Sequence, residues 1–193
     1  MYTTFLADPP WSYNDKLSAM KDGVQRSSDS QYRTMSVLDI CALCDKTNDT
    51  IAGFKRAHDG FLWLWVTNPF LLSGAGVAVC EAWGFKPKQL ITWVKGRIVD
   101  STFKLNIGLG HYTRGCTEHL ILATRGAVTY LVRDNATPNV FFEGDVLLES
   151  RTRHSRKPES AYKLIERVTP GPYLELFARH QRPGWTTWGD ECD

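Results

Sequence analysis

The run Gly60-Phe61-Leu62-Trp63-Leu64-Trp65-Val66 constrains the fold more than any other stretch of the chain. It is continuously apolar and rich in β-formers, so it fits a strand buried on both faces, as in a parallel sheet covered by helices. The neighbouring patterns agree with that. Thr3 to Ala7 reads as a short buried strand, and Ser36 opens a helix with capping-box spacing to Asp39. Leu71 to Trp83 reads as one helix closed by Gly84, and Lys88 to Val94 as the strand completing a βαβ unit. Glu118 to Thr124 and Ala127 to Val132 flank Arg125-Gly126 as a hairpin would. Pro158 sits at the first position of an amphipathic helix reaching Val168, with Ala161, Leu164, Ile165 and Val168 on one face. Tyr173 to Phe177 and Trp185 to Trp188 read as the last strands. Alternating strands and helices predict an α/β fold, a mostly parallel sheet with helices on both faces, in a single domain over 1–193.

At 193 residues the chain is long enough to bury a sizeable core. No apolar stretch approaches a membrane span, and the start lacks the basic-then-apolar pattern of a secretory signal, so a cytoplasmic protein is expected. Five cysteines at irregular spacing fit reduced thiols rather than a disulfide framework. Cys41 and Cys44 form a lone CxxC inside an apolar-periodic pattern, which reads as core packing. No HExxH, DxD cluster or second CxxC suggests a metal, and no GxGxxG or GxxxxGK[ST] supports a standard dinucleotide or P-loop site. A net charge of +2 permits a polyanionic partner without requiring one.

Chemistry concentrates where strands end, because ligands of open α/β sheets bind at the carboxyl ends of their strands. The first strand runs into Asp8-Pro9-Pro10-Trp11. Asp8 is an ionised acceptor, the two prolines lock the backbone and remove two amide donors, and Trp11 offers a rigid face. An acid, a stiff carbonyl acceptor and an aromatic plate suit a planar group bearing an NH2, such as the exocyclic amine of a base. The same four residues also fit a strand-ending turn with Asp8 as a local cap and Trp11 in the core. Two long polar loops could approach such a ligand. Ser12 to Arg33 carries Lys16, Lys21, Arg26 and Arg33, and Gly96 to Tyr112 carries Arg97, Lys104 and His111.

Eight blocks then occur in a fixed order. They are Asp8-Pro9-Pro10-Trp11, Tyr32-Arg33-Thr34-Met35-Ser36, Phe61 to Thr67, and Trp93-Val94-Lys95. Gly110-His111-Tyr112 with Glu118-His119, Ser155 to Glu159, Glu175 to Arg179, and Arg182 to Trp185 with Trp188 to Glu191 complete them. In this order the chain resembles the DPPW-type N6-adenine methyltransferases. That family includes the catalytic subunit of the eukaryotic messenger-RNA adenosine methyltransferase and small bacterial and phage enzymes acting on DNA. The Asp190-Glu191 ending looks like the bacterial and phage branch.

The resemblance implies a circularly permuted Rossmann-like sheet in which the catalytic strand comes first and the strand facing S-adenosylmethionine comes near the end. It implies that Asp8 and the Pro9 carbonyl accept from the adenine amine, with Pro10 stiffening the turn and Trp11 and Tyr32 against the extruded base. Lys157 would bind the cofactor's carboxylate, with Asp8 and Phe177 beside the cofactor. Arg179, His180 and Gln181 would lie against the ribose, and Asp190 and Glu191 would hold ribose hydroxyls or the adenine edge. Lys95, Arg97, His111, Tyr112 and Arg114 would face substrate. Lys157 also fits a solvated basic run from Arg151, Trp65 and Trp93 fit the core, and Glu118 pairs either with a base or with a neighbouring arginine. The implied activity is S-adenosylmethionine-dependent, metal-free methylation of adenine N6 in DNA by a monomer or homodimer. RNA methylation and a catalytically silent nucleic-acid-binding relative are the alternatives.

Overall fold

The computed structural model describes residues 1–12, 34–108, 112–142 and 157–190. Most of the expected Ser12–Arg33 lid, and the basic run before Lys157, lie outside them. Among the described residues the order is β1 (Tyr2–Ala7), α1 (Val37–Ala42), β2 (Cys44–Asp45), β3 (Thr50–Ile51), β4 (Phe54–Val66), α2 (Asn68–Leu72) and α3 (Ala75–Ala82). Then come β5 (Lys86–Val94), β6 (Gly96–Val99), β7 (Thr102–Leu105), β8 (Thr117–Arg125), β9 (Val140–Phe142), α4 (Glu159–Val168), β10 (Tyr173–Leu176) and β11 (Trp185–Trp188).

The central sheet has the order β11-β10-β1-β4-β8-β5-β9. Only β8 runs against the others. The first strand therefore lies between β4 and the penultimate strand, β10, with Ala7 opposite both Leu64 and Leu176.

Strand periodicity splits the apolar residues of β1 and β4 between two cores. Phe5, Ala7, Leu62, Leu64 and Val66 face one side, where Ile40 of α1 and Val79 and Cys80 of α3 cover them. Leu6, Phe61, Trp63 and Trp65 face the other, under Ala161, Tyr162 and Ile165 of α4. Burial on both faces explains why β4 ends in an unbroken apolar run. Six aromatic and aliphatic side chains there, Phe61 to Val66, give up their water to two helical layers at once.

Local signals hold at the caps. Ser36 Oγ accepts from the Asp39 amide at 3.2 Å and so starts α1. Gly84 follows α3 with φ +78°, the left-handed geometry expected of a helix stop. Cys41 and Cys44 are free thiols packed against the first core, as their apolar setting suggested. No helix among the described residues is long and apolar enough to cross a membrane.

Several expectations fail, each for a tertiary reason. The single helix from Leu71 to Trp83 is two helices, broken where Gly74 adopts φ +77°. The strands β4 and β5 are parallel but not adjacent, because β8 inserts between them through antiparallel pairing to both. The predicted hairpin after Glu118 does not form for the same reason. Both edges of β8 are already taken, and Thr129–Leu131 turns as a 3-10 helix instead. The Gly96–Tyr112 loop contains the hairpin β6-β7, in which Arg97 faces Lys104 and Ile98 faces Phe103.

Candidate active site

Asp8 leaves the tip of β1 on the face shared with Leu6, toward α4. Its amide still donates to Leu176 O at 3.4 Å, so the residue is held at the end of the pairing with β10. The proline turn behaves differently from the open acceptor expected. Pro9 O accepts from the Trp11 amide at 2.9 Å, and Pro10 O from the Met35 amide at 2.8 Å. A carbonyl has two lone pairs, so Pro9 keeps one for a ligand. Trp11 is a core residue, contrary to its expected role as an open stacking plate. It is 5% exposed, its ring stacks on Phe70 at 4.8 Å, and its Nε1 donates to Trp65 O at 3.2 Å. The tetrapeptide is thus anchored by its own tryptophan, and only Asp8 and Pro10 reach the cavity described below.

Four alternating charges extend from Asp8. Lys157 Nζ donates to Asp8 Oδ2 at 2.7 Å and lies 3.4 Å from Glu118 Oε2. Lys95 Nζ pairs with the other Glu118 oxygen. Two buried indoles floor this chain, with Lys157 5.2 Å from the Trp65 ring centre and Lys95 5.2 Å from that of Trp93. Burial alone disfavours the Lys157 ammonium, but Asp8 and Glu118 outweigh it and hold its pKa above the ordinary lysine value. Burial likewise pushes Glu118 up, and Lys157 and Lys95 pull it back below the usual carboxylate range. Lys157 is therefore a built-in member of the site rather than one charge in a solvated run. Glu118 pairs with two lysines, a partner set that neither sequence alternative contained. The indole N–H groups of Trp65 and Trp93 are buried without a partner among the described residues.

The turn after β10 forms the other half. Phe177 takes φ +63°, which bends the chain away from the strand, and the Ala178 amide donates to Trp188 O at 3.0 Å. Gly189 runs so close to this turn that a Cβ there would lie 2.2 Å from Ala178 O. A cavity of about 430 Å³ results, lined by Asp8, Pro10, Phe177, Arg179, Trp188 and Asp190 among others. Its donor set suits a nucleoside bearing an amino acid. Two aromatic rings supply flat walls, Asp190 an acceptor for hydroxyls, and Arg179 and the nearby Lys157 positive charge. Behind it, Tyr162 Oη donates to Glu175 Oε1 at 2.7 Å, and burial chiefly raises the pKa of that carboxyl.

The remaining expected residues divide. Lys95 joins the charge chain. His180 and Gln181 are exposed on the loop after Arg179 and do not line the cavity. Arg97 lies exposed on the β6-β7 hairpin, Tyr112 is fully exposed, and Arg114 Nε donates to Gly108 O at 2.6 Å. Tyr32, His111 and Glu191 lie outside the described residues. Sequence reasoning gave no site role to Met35, Asp39 or Trp188, which also line the cavity. Met35 and Trp188 lie within the ordered motifs, and the spacing from Ser36 marks Asp39 as a capping residue.

A mostly parallel sheet, permuted so that an acidic first-strand tip meets the turn after the penultimate strand over one nucleoside-sized cavity, defines the Rossmann-like S-adenosylmethionine-dependent methyltransferase class. The MT-A70 family model matches residues 2–191, and the chain belongs to that family. It is 28% identical over 198 residues to the human N(6)-adenosine-methyltransferase catalytic subunit METTL3, covering 100% of this chain and 28% of that protein. It is 27% identical over 191 residues to the Arabidopsis thaliana N(6)-adenosine-methyltransferase MT-A70-like protein, covering 97% of this chain and 23% of the relative. It is 28% identical over 204 residues to the type II methyltransferase M.MunI of a Mycoplasma species, covering 98% of this chain and 77% of that enzyme. The chain thus spans about a quarter of the length of the eukaryotic relatives and most of the bacterial one.

Proposed function

We propose that this protein transfers a methyl group from S-adenosylmethionine to the N6 amine of adenine in DNA. The observation that carries this reading is the shared cavity. Asp8 at the β1 tip and Phe177, Arg179 and Asp190 of the last turns line one space, so an acceptor for an amine and a cradle for a nucleoside open onto each other. The bound cofactor supplies an electrophilic sulfonium methyl. Lys157 offers a cation to its carboxylate, and Arg179 and Asp190 lie toward its ribose.

The adenine amine is a poor nucleophile because its lone pair is shared with the ring. Asp8, which lines the cavity, accepts from the amine and draws the nitrogen toward a tetrahedral geometry. With the cofactor bound, Asp8 would hold the amine toward the sulfonium methyl and take up the proton that the amine gives up on methylation. Reaching N6 requires the base to leave its stack, at a cost of a few kcal/mol. The β6-β7 hairpin favours a polyanionic substrate. Arg97 and Lys104 face each other directly on one side of it, a pairing of like charges that phosphate relieves.

DNA is preferred to RNA because the chain fills most of the length of the bacterial type II methyltransferase and about a quarter of that of the eukaryotic relatives named above. Incubating matched DNA and RNA oligonucleotides with methyl-labelled cofactor, then digesting to nucleosides, tests this. Label is expected in N6-methyl-2′-deoxyadenosine. Label confined to the ribonucleoside would move the activity to RNA, and binding without label would make the chain a silent relative.

A further inference from the structure

Asp8, the acceptor on which that activity depends, is itself engaged. Its Oδ2 takes the Lys157 ammonium at 2.7 Å, and the same ammonium stands 3.4 Å from Glu118 Oε2. A carboxylate neutralised in this way polarises an amine less than a bare one, since the lysine competes for the charge that the N–H groups seek. Lys157 is 11% exposed, yet its partner Asp8 lines the 430 Å³ cavity, so the ammonium stands at the boundary between that cavity and the shelf of Trp65 and Trp93. Lysine is a compact charge with three donors on a flexible stem, well suited to exchanging one oxygen partner for another.

We infer that Lys157 is a positioning residue shared by the two halves of the site. A carboxylate-bearing ligand in the cavity competes with Asp8 for its ammonium, Glu118 retains the lysine as it turns, and Asp8 is released to accept from the base. This rests on the methyltransferase reading and adds to it an energetic coupling between cofactor and substrate. Glu118 makes the exchange feasible. Moving a buried ammonium off its only partner would strand it, whereas here a second carboxylate, itself steadied by Lys95, stays within reach. The coupling is reciprocal by necessity, so each ligand tightens the other by one common factor.

The test uses two nucleoside thioethers, one with and one without the amino-acid group that the lysine would meet. S-adenosylhomocysteine carries the amino-acid carboxylate, and 5′-methylthioadenosine is a nucleoside thioether without it. Binding of a labelled, adenine-containing single-stranded oligodeoxynucleotide is followed by anisotropy, with each ligand brought to saturation as checked by calorimetry. S-adenosylhomocysteine is expected to tighten the oligonucleotide by about 5–50-fold and methylthioadenosine by less than about twofold. In Lys157→Met the oligonucleotide alone is expected to bind at least as tightly as to the wild type, and the difference between the two ligands disappears.

Equal tightening by both ligands on the wild-type protein overturns the inference without any variant. So does coupling that survives in Lys157→Met. Methyl transfer to the same oligonucleotide is scored in parallel. Transfer without coupling removes the shared lysine and leaves the activity standing, whereas no adenine-dependent binding and no transfer removes both.

Discussion

Two charge clusters stand at opposite ends of β4, and they are made from different cations. Near the start of the strand, Asp49 accepts from Arg125 Nη1 at 2.7 Å and from Arg56 Nη2 at 2.5 Å, while Arg56 Nη1 also reaches the Trp83 carbonyl. Arg56 is 5% exposed, and the arginines, Arg125 first, hold the Asp49 carboxyl below its ordinary pKa. At the far end the cations are Lys157 and Lys95, the acids are Asp8 and Glu118, and Asp8 opens onto a cavity. A guanidinium is a rigid fork that fixes geometry and stays charged, and an ammonium is a point charge that can change partner. The arginine cluster clamps α3 and the turn before β4 to the sheet. The lysine cluster keeps an acid poised. Similar Coulombic attraction thus serves structure at one end and, on the proposed reading, chemistry at the other.

Exchanging the consequences of these clusters is the most direct way to break the comparison. Asp8→Ala is expected to lower methyl transfer by about 10²–10³-fold or more while leaving the unfolding midpoint close to wild type. Labelled incorporation and urea denaturation check the two halves, and near-normal turnover would remove Asp8 from the chemistry. Arg56→Met is expected to do the reverse. It leaves the Trp83 carbonyl without its partner and Asp49 with Arg125 alone, costing about 2–3 kcal/mol in urea unfolding, with transfer per folded molecule unchanged. Asp49 is 45% exposed on its side chain and can rehydrate, which keeps the loss near that range.

A smaller effect lies beside the lysine cluster. His119 is next to Glu118 on β8 and lies within hydrogen-bond distance of Asn68 Oδ1 at 2.7 Å and Thr92 Oγ1 at 3.1 Å. Burial lowers its pKa below 6.5, against the opposing pull of Glu118. The unfolded chain therefore binds the proton more readily than the folded one. Stability is fully present above pH 6.5 and is lost as pH falls from there through the folded value, at no more than about 1.4 kcal/mol per pH unit. His119→Gln should flatten this limb in midpoints measured between pH 5 and 7. An unchanged limb would place the proton elsewhere. The smallest effect is expected on the hairpin. Arg97→Ala or Lys104→Ala should weaken oligonucleotide binding a few-fold and reduce the slope of log affinity against log salt by about 1 each. An unaltered slope would take the hairpin off the phosphate path.

The elements that were legible in advance are those set by neighbours along the chain. The buried run to Val66, the Ser36 cap, the Gly84 stop and the apolar face of α4 all depend on periodicity or on one residue's φ, and these are local quantities. The break at Gly74 shows the limit even there, since one glycine in an apolar run signals a helix interior and a helix end equally well. Of the cavity lining, Asp8 and Phe177 were legible because they stand in motifs, whereas Trp188, its second aromatic wall, carried no expected role. Trp11 had two readings, because an indole serves a ligand and a core equally well, and the stacking on Phe70 decides for the core.

By itself, then, the amino-acid sequence determined the layered α/β class, the strands buried on both faces, and the tip on which Asp8 stands, since side-chain type and spacing suffice for these. Only the tertiary structure decided that β8 would separate β4 from β5, that Pro9 and Pro10 would spend hydrogen bonds inside the protein, and that Lys157, 149 positions from Asp8, would seat its ammonium between Asp8 and Glu118. The physical reason is that pairing edges and buried charges are shared among distant segments. Which partner wins such a group depends on every competitor that folding brings within reach, and the order of residues along a chain does not contain that distance.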